Sequence, residues 1–147
     1  MREQEMSIRK ISELAGTTPR TLRYYEKIGL LNPPKRSNLN FRIYSSEELF
    51  SLYEIFFYKE IGFSLAEIRK LLSAKIYSRD EILEGYLQIL NLKTKQTERL
   101  IDLASDILSG DSSNDFSVFS NEELSSLCES YKNEILSRWN NIFEDKW

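Results

Sequence analysis

The chain has 147 residues and a formal net charge of −3, divided between a basic segment, residues 1–80 with 14 Lys+Arg against 10 Asp+Glu, and an acidic one, residues 81–147 with 6 against 13. That division, +4 and −7, suits a chain that lays one end on a polyanion. With no histidine and one cysteine, Cys128, it lacks the commonest general base and zinc ligand, and no intramolecular disulfide or multi-thiolate metal site is available. No apolar run reaches the roughly eighteen residues of a transmembrane helix, and the N-terminus lacks the apolar stretch of a secretory signal, so a cytoplasmic setting is expected. Helix signals begin at Ser7, a capping residue ahead of an apolar stripe at Ile8, Ile11 and Leu14, and Gly16 supplies a left-handed stop. Thr18 caps a second helix with Pro19 at its first position, where the missing N–H costs nothing. That helix runs through Leu22 and Tyr25 to about Ile28, and Gly29 ends it. Two short helices about a tight connection match the helix-turn-helix pattern.

Next, Asn32-Pro33-Pro34 forces an extended exit. Residues 35–44 read as two short strands about a Ser37-Asn38 turn, with apolar alternation at Phe41 and Ile43. A hairpin after a recognition helix is a wing, and Lys35, Arg36 and Arg42 suit it to phosphates beside the groove the helix enters. Four capping boxes then mark successive helices: Ser45 with Glu48, Ser64 with Glu67, Ser78 with Glu81, and Ser120 with Glu123. The first opens a helix to about Ile61 and the second a shorter one over residues 65–73, a pair that reads as a second wing. The helical spacing of Tyr53, Phe56, Phe57 and Tyr58, joined by Phe63, marks these aromatics as domain core.

The third box opens the longest element, residues 79–108, free of proline. It carries two adjacent seams at 3-4 spacing. One holds Ile82, Tyr86, Ile89, Leu100, Leu103 and Ile107; the other holds Leu83, Leu87, Leu90, Ile101, Ala104 and Leu108. A helix of about 45 Å is too long for a domain this small, so the heptad spacing predicts a coiled coil with a second chain. The first seam is assigned to dimerisation. Both seams turn polar between Lys93 and Thr97, a pattern that an antiparallel pair would place at its two-fold axis. Packing against the chain's own tail is the alternative. Residues 109–119 form a polar linker, and Leu124, Leu127, Tyr131, Ile135, Trp139 and Ile142 line a last helix within residues 120–147.

The segment RTLRYYEKIGLL, residues 20–31, resembles the signature of the MerR family. The likeness extends to Ile8, Ser12, Leu14 and Ala15, to residues 41–44 (FRIY) and to residues 62–68 (GFSLAEI), and with the long helix it covers residues 6–108. It implies a mainly α protein: a winged helix-turn-helix DNA-binding domain over residues 1–76, an antiparallel coiled-coil dimerisation helix over 78–108, the linker, and a short helical tail. By position it assigns Thr18, Arg20, Arg23 and Tyr24 to the recognition helix, Arg36, Arg42 and Tyr44 to the first wing, and Lys59 and Ser64 to the second. Tyr25 and Leu22 are read as anchors to the core. Where the family has Gly-Tyr before the wing arginine, this chain has Asn40-Phe41; asparagine is the next best residue for a left-handed turn, but a contact from a tyrosine hydroxyl is lost. The tail resembles the opening of the effector domain in the TipA/Mta-like multidrug subgroup, with the remainder of that domain absent.

The implied function is that of a bacterial transcription regulator. A homodimer binds a pseudo-palindromic operator on double-stranded DNA and distorts the promoter spacer, so that RNA polymerase is engaged indirectly through the DNA. A DNA-architectural or recombination-accessory protein is the alternative. No cofactor, metal or membrane is expected. Neither is enzymatic activity, because the carboxylates that would carry it, Glu47, Glu48, Glu122 and Glu123, read as capping and surface groups. A small apolar effector would meet Tyr131, Trp139 and Trp147, with core packing the competing role for all three.

Overall fold

The computed structural model describes residues 4–110, 121–143 and 147. Among these, six helices and one hairpin follow in the order α1 (Ile8–Ala15), α2 (Pro19–Lys27), β1 (Lys35–Arg36), β2 (Arg42–Ile43), α3 (Ser46–Ile61), α4 (Leu65–Ala74), α5 (Arg79–Leu108) and α6 (Glu122–Phe143).

Local chemistry sets most of these boundaries. The Ser7 Oγ accepts the Lys10 N–H at 3.1 Å to start α1, and Gly16, at φ +71°, ends it in the left-handed region. Thr18 Oγ1 accepts the Thr21 N–H at 3.2 Å, with Pro19 opening α2. Helices α3, α4 and α5 each begin with a reciprocal box. The Ser45, Ser64 and Ser78 N–H groups donate to Glu48, Glu67 and Glu81 at 2.7, 2.9 and 3.1 Å. The fourth expected box, at Ser120, lies outside the described residues, as do residues 111–119 of the linker. At α6 the Asn121 Oδ1 accepts the Leu124 N–H at 3.3 Å.

The chain divides into two units, Met1–Leu83 and Glu84–Trp147. In the first, α1 packs on α2 and α3, and α3 packs on α4. Ile11, Leu22, Leu52, Ile55, Ile68 and Leu71 are fully buried at its centre. Phe57, Tyr58 and Phe63 join this core, Phe57 meeting Tyr77 edge-on at 6.0 Å and Tyr58 meeting Phe63 at 6.3 Å; Tyr53 and Phe56 are half-buried. The expected stripe on α1 is narrower than its spacing suggests. Leu14 is exposed, and Ser12 is buried in its place because its Oγ donates to the Ile8 carbonyl at 2.6 Å. The hairpin pairs Lys35 with Ile43 and Arg36 with Arg42, and Met6 and Tyr44 exchange two backbone hydrogen bonds that stitch the N-terminal segment beside β2. Its turn spans residues 37–41, with Asn40 in the left-handed region at φ +66°. Phe41 belongs to this turn and is exposed, so it is not a strand position.

In the second unit, α6 runs back along α5. The Tyr131 hydroxyl donates to Gln88 Oε1 at 3.0 Å, and Ile89 and Ile135 are both fully buried. This corrects the seam assigned to dimerisation. Ile82, Ile89 and Leu103 are buried inside the chain, Tyr86 is half-buried, and only Leu100 and Ile107 of that set are exposed. The neighbouring seam is the open one: Leu83, Leu87, Leu90, Ile101 and Leu108 are all exposed, Leu87 at 59% and Ile101 at 58%. Among the described residues no helix is long and apolar enough to cross a membrane.

Candidate nucleic-acid interface

Helix α2 has two faces. Leu22 and Tyr25, fully buried or nearly so, hold one face to the core. At 100° per residue, Arg20, Arg23, Tyr24 and Lys27 gather on the opposite face, and all four are exposed. Thr18 stands exposed at the helix start, its hydroxyl 3.0 Å from that of Thr21. Lys27 escaped the sequence reading, although its spacing of four from Arg23 was available to reveal it. This face is therefore cationic, with one aromatic ring in its middle.

The hairpin adds further charge beside it. Arg42 Nε donates to Glu26 Oε2 at 3.1 Å, an ion pair whose carboxylate is nearly buried, and so ties β2 to α2. Arg36 Nη1 donates to the Asn40 carbonyl at 3.1 Å, bracing the turn. Tyr44 departs from expectation: it is fully buried, and its hydroxyl is enclosed without a hydrogen-bond partner among the described residues. A side chain in that position cannot touch a duplex, so Tyr44 is a core residue of the wing. Its hydroxyl nevertheless reports on what surrounds it. Burial, helped by Glu26, pushes its pKa up to about 12, while Arg42, Arg23 and Arg36 pull it down. The ion pair of Arg42 with Glu26 thus sets the basic hairpin beside the cationic face of α2.

At the second helix pair, Lys59 is exposed and its Nζ donates to the Tyr25 hydroxyl at 3.4 Å, linking the end of α3 to the buried face of α2. Ser64 is exposed as the cap of α4, its Oγ accepting the Glu67 N–H at 3.2 Å. Arg69 of α4 packs over Gly29, just past the end of α2, where an added Cβ would lie 3.4 Å from its guanidinium nitrogen.

The residues named for an effector separate into two places. Trp139 stacks on Phe143 at 4.3 Å and meets Trp147 edge-on at 4.9 Å. Tyr131 is two turns away, engaged with Gln88. A cavity of about 560 Å³ in this unit is lined by Gln88, Asn91, Leu92, Glu123, Ser126 and Leu127, and by none of the three aromatics. Among the described residues no group of three His, Cys, Asp or Glu side chains is placed to hold a metal ion.

Comparison with known proteins agrees with this geometry. The profile of MerR HTH family regulatory proteins matches residues 6–75. The chain is 35% identical over 94 residues to the transcriptional activator Mta of Bacillus subtilis and 31% identical over 142 residues to the transcriptional activator TipA of Streptomyces coelicolor. These matches take in 64% and 92% of the chain, but it spans only 37% and 54% of the lengths of those activators. With YyaN, an HTH-type transcriptional regulator of B. subtilis, it shares 34% identity over 113 residues, 65% of this chain and 82% of YyaN. In fold it is similar to the crystal structure of the regulator SkgA of Caulobacter crescentus, with a TM-score of 0.51 at 21% identity, covering 90% of this chain and 99% of that one. The signature over residues 20–31, the winged arrangement around α2 and the identity shared across most of YyaN lead to one conclusion: the chain belongs to the MerR family of helix-turn-helix regulatory proteins.

Proposed function

We propose that the chain is a sequence-specific, double-stranded-DNA-binding transcription regulator that acts as a homodimer. The observation that carries this reading is the exposed cationic face of α2, with Arg20, Arg23 and Lys27, fastened to the basic hairpin by the Arg42–Glu26 ion pair. Guanidinium groups present rigid forks of donors that fit guanine edges and phosphates. Arg20, Arg23 and Tyr24 read the major groove, with Thr18 at the helix start. Arg36 and Arg42 serve the flanking phosphates from the first wing, and Lys59 and Ser64 do so from the second. Residues 1–76 form the DNA-binding part, residues 78–108 the dimerisation helix and residues 120–147 a modulating tail. The open seam of α5 supports the dimer: Leu87, Leu90, Ile101 and Leu108 repeat at heptad spacing on a face that α6 leaves uncovered. An antiparallel partner helix would cover them, and the two recognition helices would then meet the halves of a pseudo-palindromic operator.

Regulation follows from distortion of the promoter spacer, which lets RNA polymerase engage both promoter elements through the DNA; deforming a site of this size costs several kcal/mol. A small apolar effector would meet the ring cluster of Trp139 and Trp147 and act on the dimer through α6. The test is selection of duplexes from a random-sequence pool on the purified protein, followed by footprinting at the genomic matches. Recovery of a two-fold symmetric site within a promoter of extended spacer is the expected result. Recovery of no sequence preference overturns the reading in favour of an architectural DNA-binding role.

A further inference from the structure

We propose that Leu39 and Phe41 form an apolar wedge at the tip of the hairpin that enters the minor groove of the DNA flanking the major groove met by α2. The inference rests on the DNA-binding reading above and extends it to two residues with no polar group to offer a phosphate. Leu39 is 79% and Phe41 68% exposed, the most exposed large apolar side chains among the described residues of the first unit. Loop tips ordinarily present polar side chains, and this one presents two large apolar ones on a hydrogen-bonded turn. The Asn40 N–H donates to the Ser37 carbonyl at 2.9 Å and the Ser37 N–H to the Phe41 carbonyl at 2.9 Å. The Phe41 N–H also meets Ser37 Oγ at 3.1 Å, and Arg36 Nη1 holds the Asn40 carbonyl. Two large hydrophobes are therefore held in water on a braced turn, and nothing within the described part of their unit covers them.

Charge identifies the partner. The tip rises from strands bearing Lys35, Arg36 and Arg42, and Arg42 is fastened through Glu26 to the helix that carries Arg20 and Arg23. A surface that meets this face must be polyanionic and must also accept apolar side chains. Duplex DNA satisfies both requirements. Its minor groove, about 6 Å wide, is too narrow for a pair of strands but admits single side chains between sugar walls. Apolar side chains inserted there part a base step and bend the duplex. The wedge contributes affinity without displacing counterions, which separates it from the arginines around it.

The test compares the parent with the Leu39→Ala, Phe41→Ala double variant on a duplex recovered from a random-sequence pool by selection on the parent. Binding is titrated across a salt series, and bending is read by energy transfer between dyes on the duplex ends. The double variant is expected to bind about tenfold more weakly, to bend the duplex less and to leave the slope of log affinity against log salt unchanged. Lys35→Ala, by contrast, is expected to reduce that slope by about one. The pair Leu39→Met, Phe41→Leu should restore bending, and the thermal melt should be the same for all variants. Parent-like binding and bending by the double variant would overturn the wedge while leaving the DNA reading intact. Loss of dimer in sedimentation with unchanged affinity per dimer would overturn it too, because the tip would then be a protein contact. A parent that selects no duplex removes the DNA reading and the wedge with it.

Discussion

Replacing Tyr44 by phenylalanine removes a single oxygen from the centre of the wing, and its effect can be worked out in advance. That oxygen is enclosed without a hydrogen-bond partner among the described residues, and leaving a buried hydroxyl unsatisfied costs about 1–3 kcal/mol. The ring itself keeps its packing, so at pH 7 Tyr44→Phe should be at least as stable as the parent, by up to about 1 kcal/mol. In a unit of this size that gain raises the melting temperature by about 4–8 °C. The larger signal is at alkaline pH. The folded pKa is pushed from 10 up to about 12, chiefly by burial. The stabilisation that the neutral phenol carries is therefore complete below pH 10 and is lost as the pH climbs toward 12, because the unfolded chain gives up its proton first. At pH 11 the parent should have lost on the order of 1 kcal/mol from this group alone, a loss the variant does not suffer. Burial also raises the Tyr58 pKa, but Tyr58 is common to both proteins and cancels. Urea titrations followed by circular dichroism at pH 7 and pH 11 would measure both differences, and a gel shift would compare DNA affinity. A variant destabilised by more than about 1 kcal/mol at pH 7, or one that stays folded but binds DNA less well, would refute the assignment of Tyr44 to the core.

Three further outcomes are expected. Arg20→Ala and Arg23→Ala should each weaken binding to a selected duplex by about 1–3 kcal/mol in gel-shift titrations, with melts unchanged because both side chains are exposed. Glu26→Gln should release Arg42 and remove a carboxylate from a cationic face, raising affinity several-fold on all sequences alike and steepening its salt dependence, at a cost of about 1 kcal/mol in stability; affinity falling as far as in Arg42→Ala would show that the carboxylate is needed to aim the guanidinium. Leu87→Glu together with Ile101→Glu should give a helical monomer by sedimentation and circular dichroism, whereas Ile89→Glu should unfold the second unit, since only Ile89 is buried within the chain.

The parts of the fold that were legible in advance are those written within four or five residues. Ser45 with Glu48, Ser64 with Glu67 and Ser78 with Glu81 mark helix starts by local hydrogen bonds, and each sits where expected. Asn40 adopts the left-handed turn that its chemistry permits. What was misread depends on partners distant in the chain. The two seams of α5 lie one position apart and share the same spacing, so periodicity alone cannot decide which one α6 covers; the burial of Ile89 against the exposure of Leu87 decides it. Tyr44 follows an arginine and an isoleucine on a basic hairpin, and its pattern does not reveal that Met6 pairs beside it and closes it in. On α2 the two-faced pattern is readable throughout, Lys27 included, because it follows Arg23 by four residues on the face opposite Leu22 and Tyr25.

The reciprocal caps at α3, α4 and α5 also bear on how fast the first unit assembles. Each helix start is specified by groups three residues apart, so none has to wait for a distant strand or helix before its leading N–H groups are satisfied. A connection of only three residues, 62–64, joins α3 to α4, and closing so short a loop takes well under a microsecond. The pair is therefore expected to form early, ahead of the Met6–Tyr44 bridge, which must bring together segments 38 residues apart in the chain. Assembly by near neighbours places folding in the microsecond-to-millisecond range, and the bridge that closes the wing would be its last step. In a nascent chain the α3–α4 hairpin could then take shape as soon as it is clear of the ribosome and serve as the template on which the earlier helix-turn-helix segment settles.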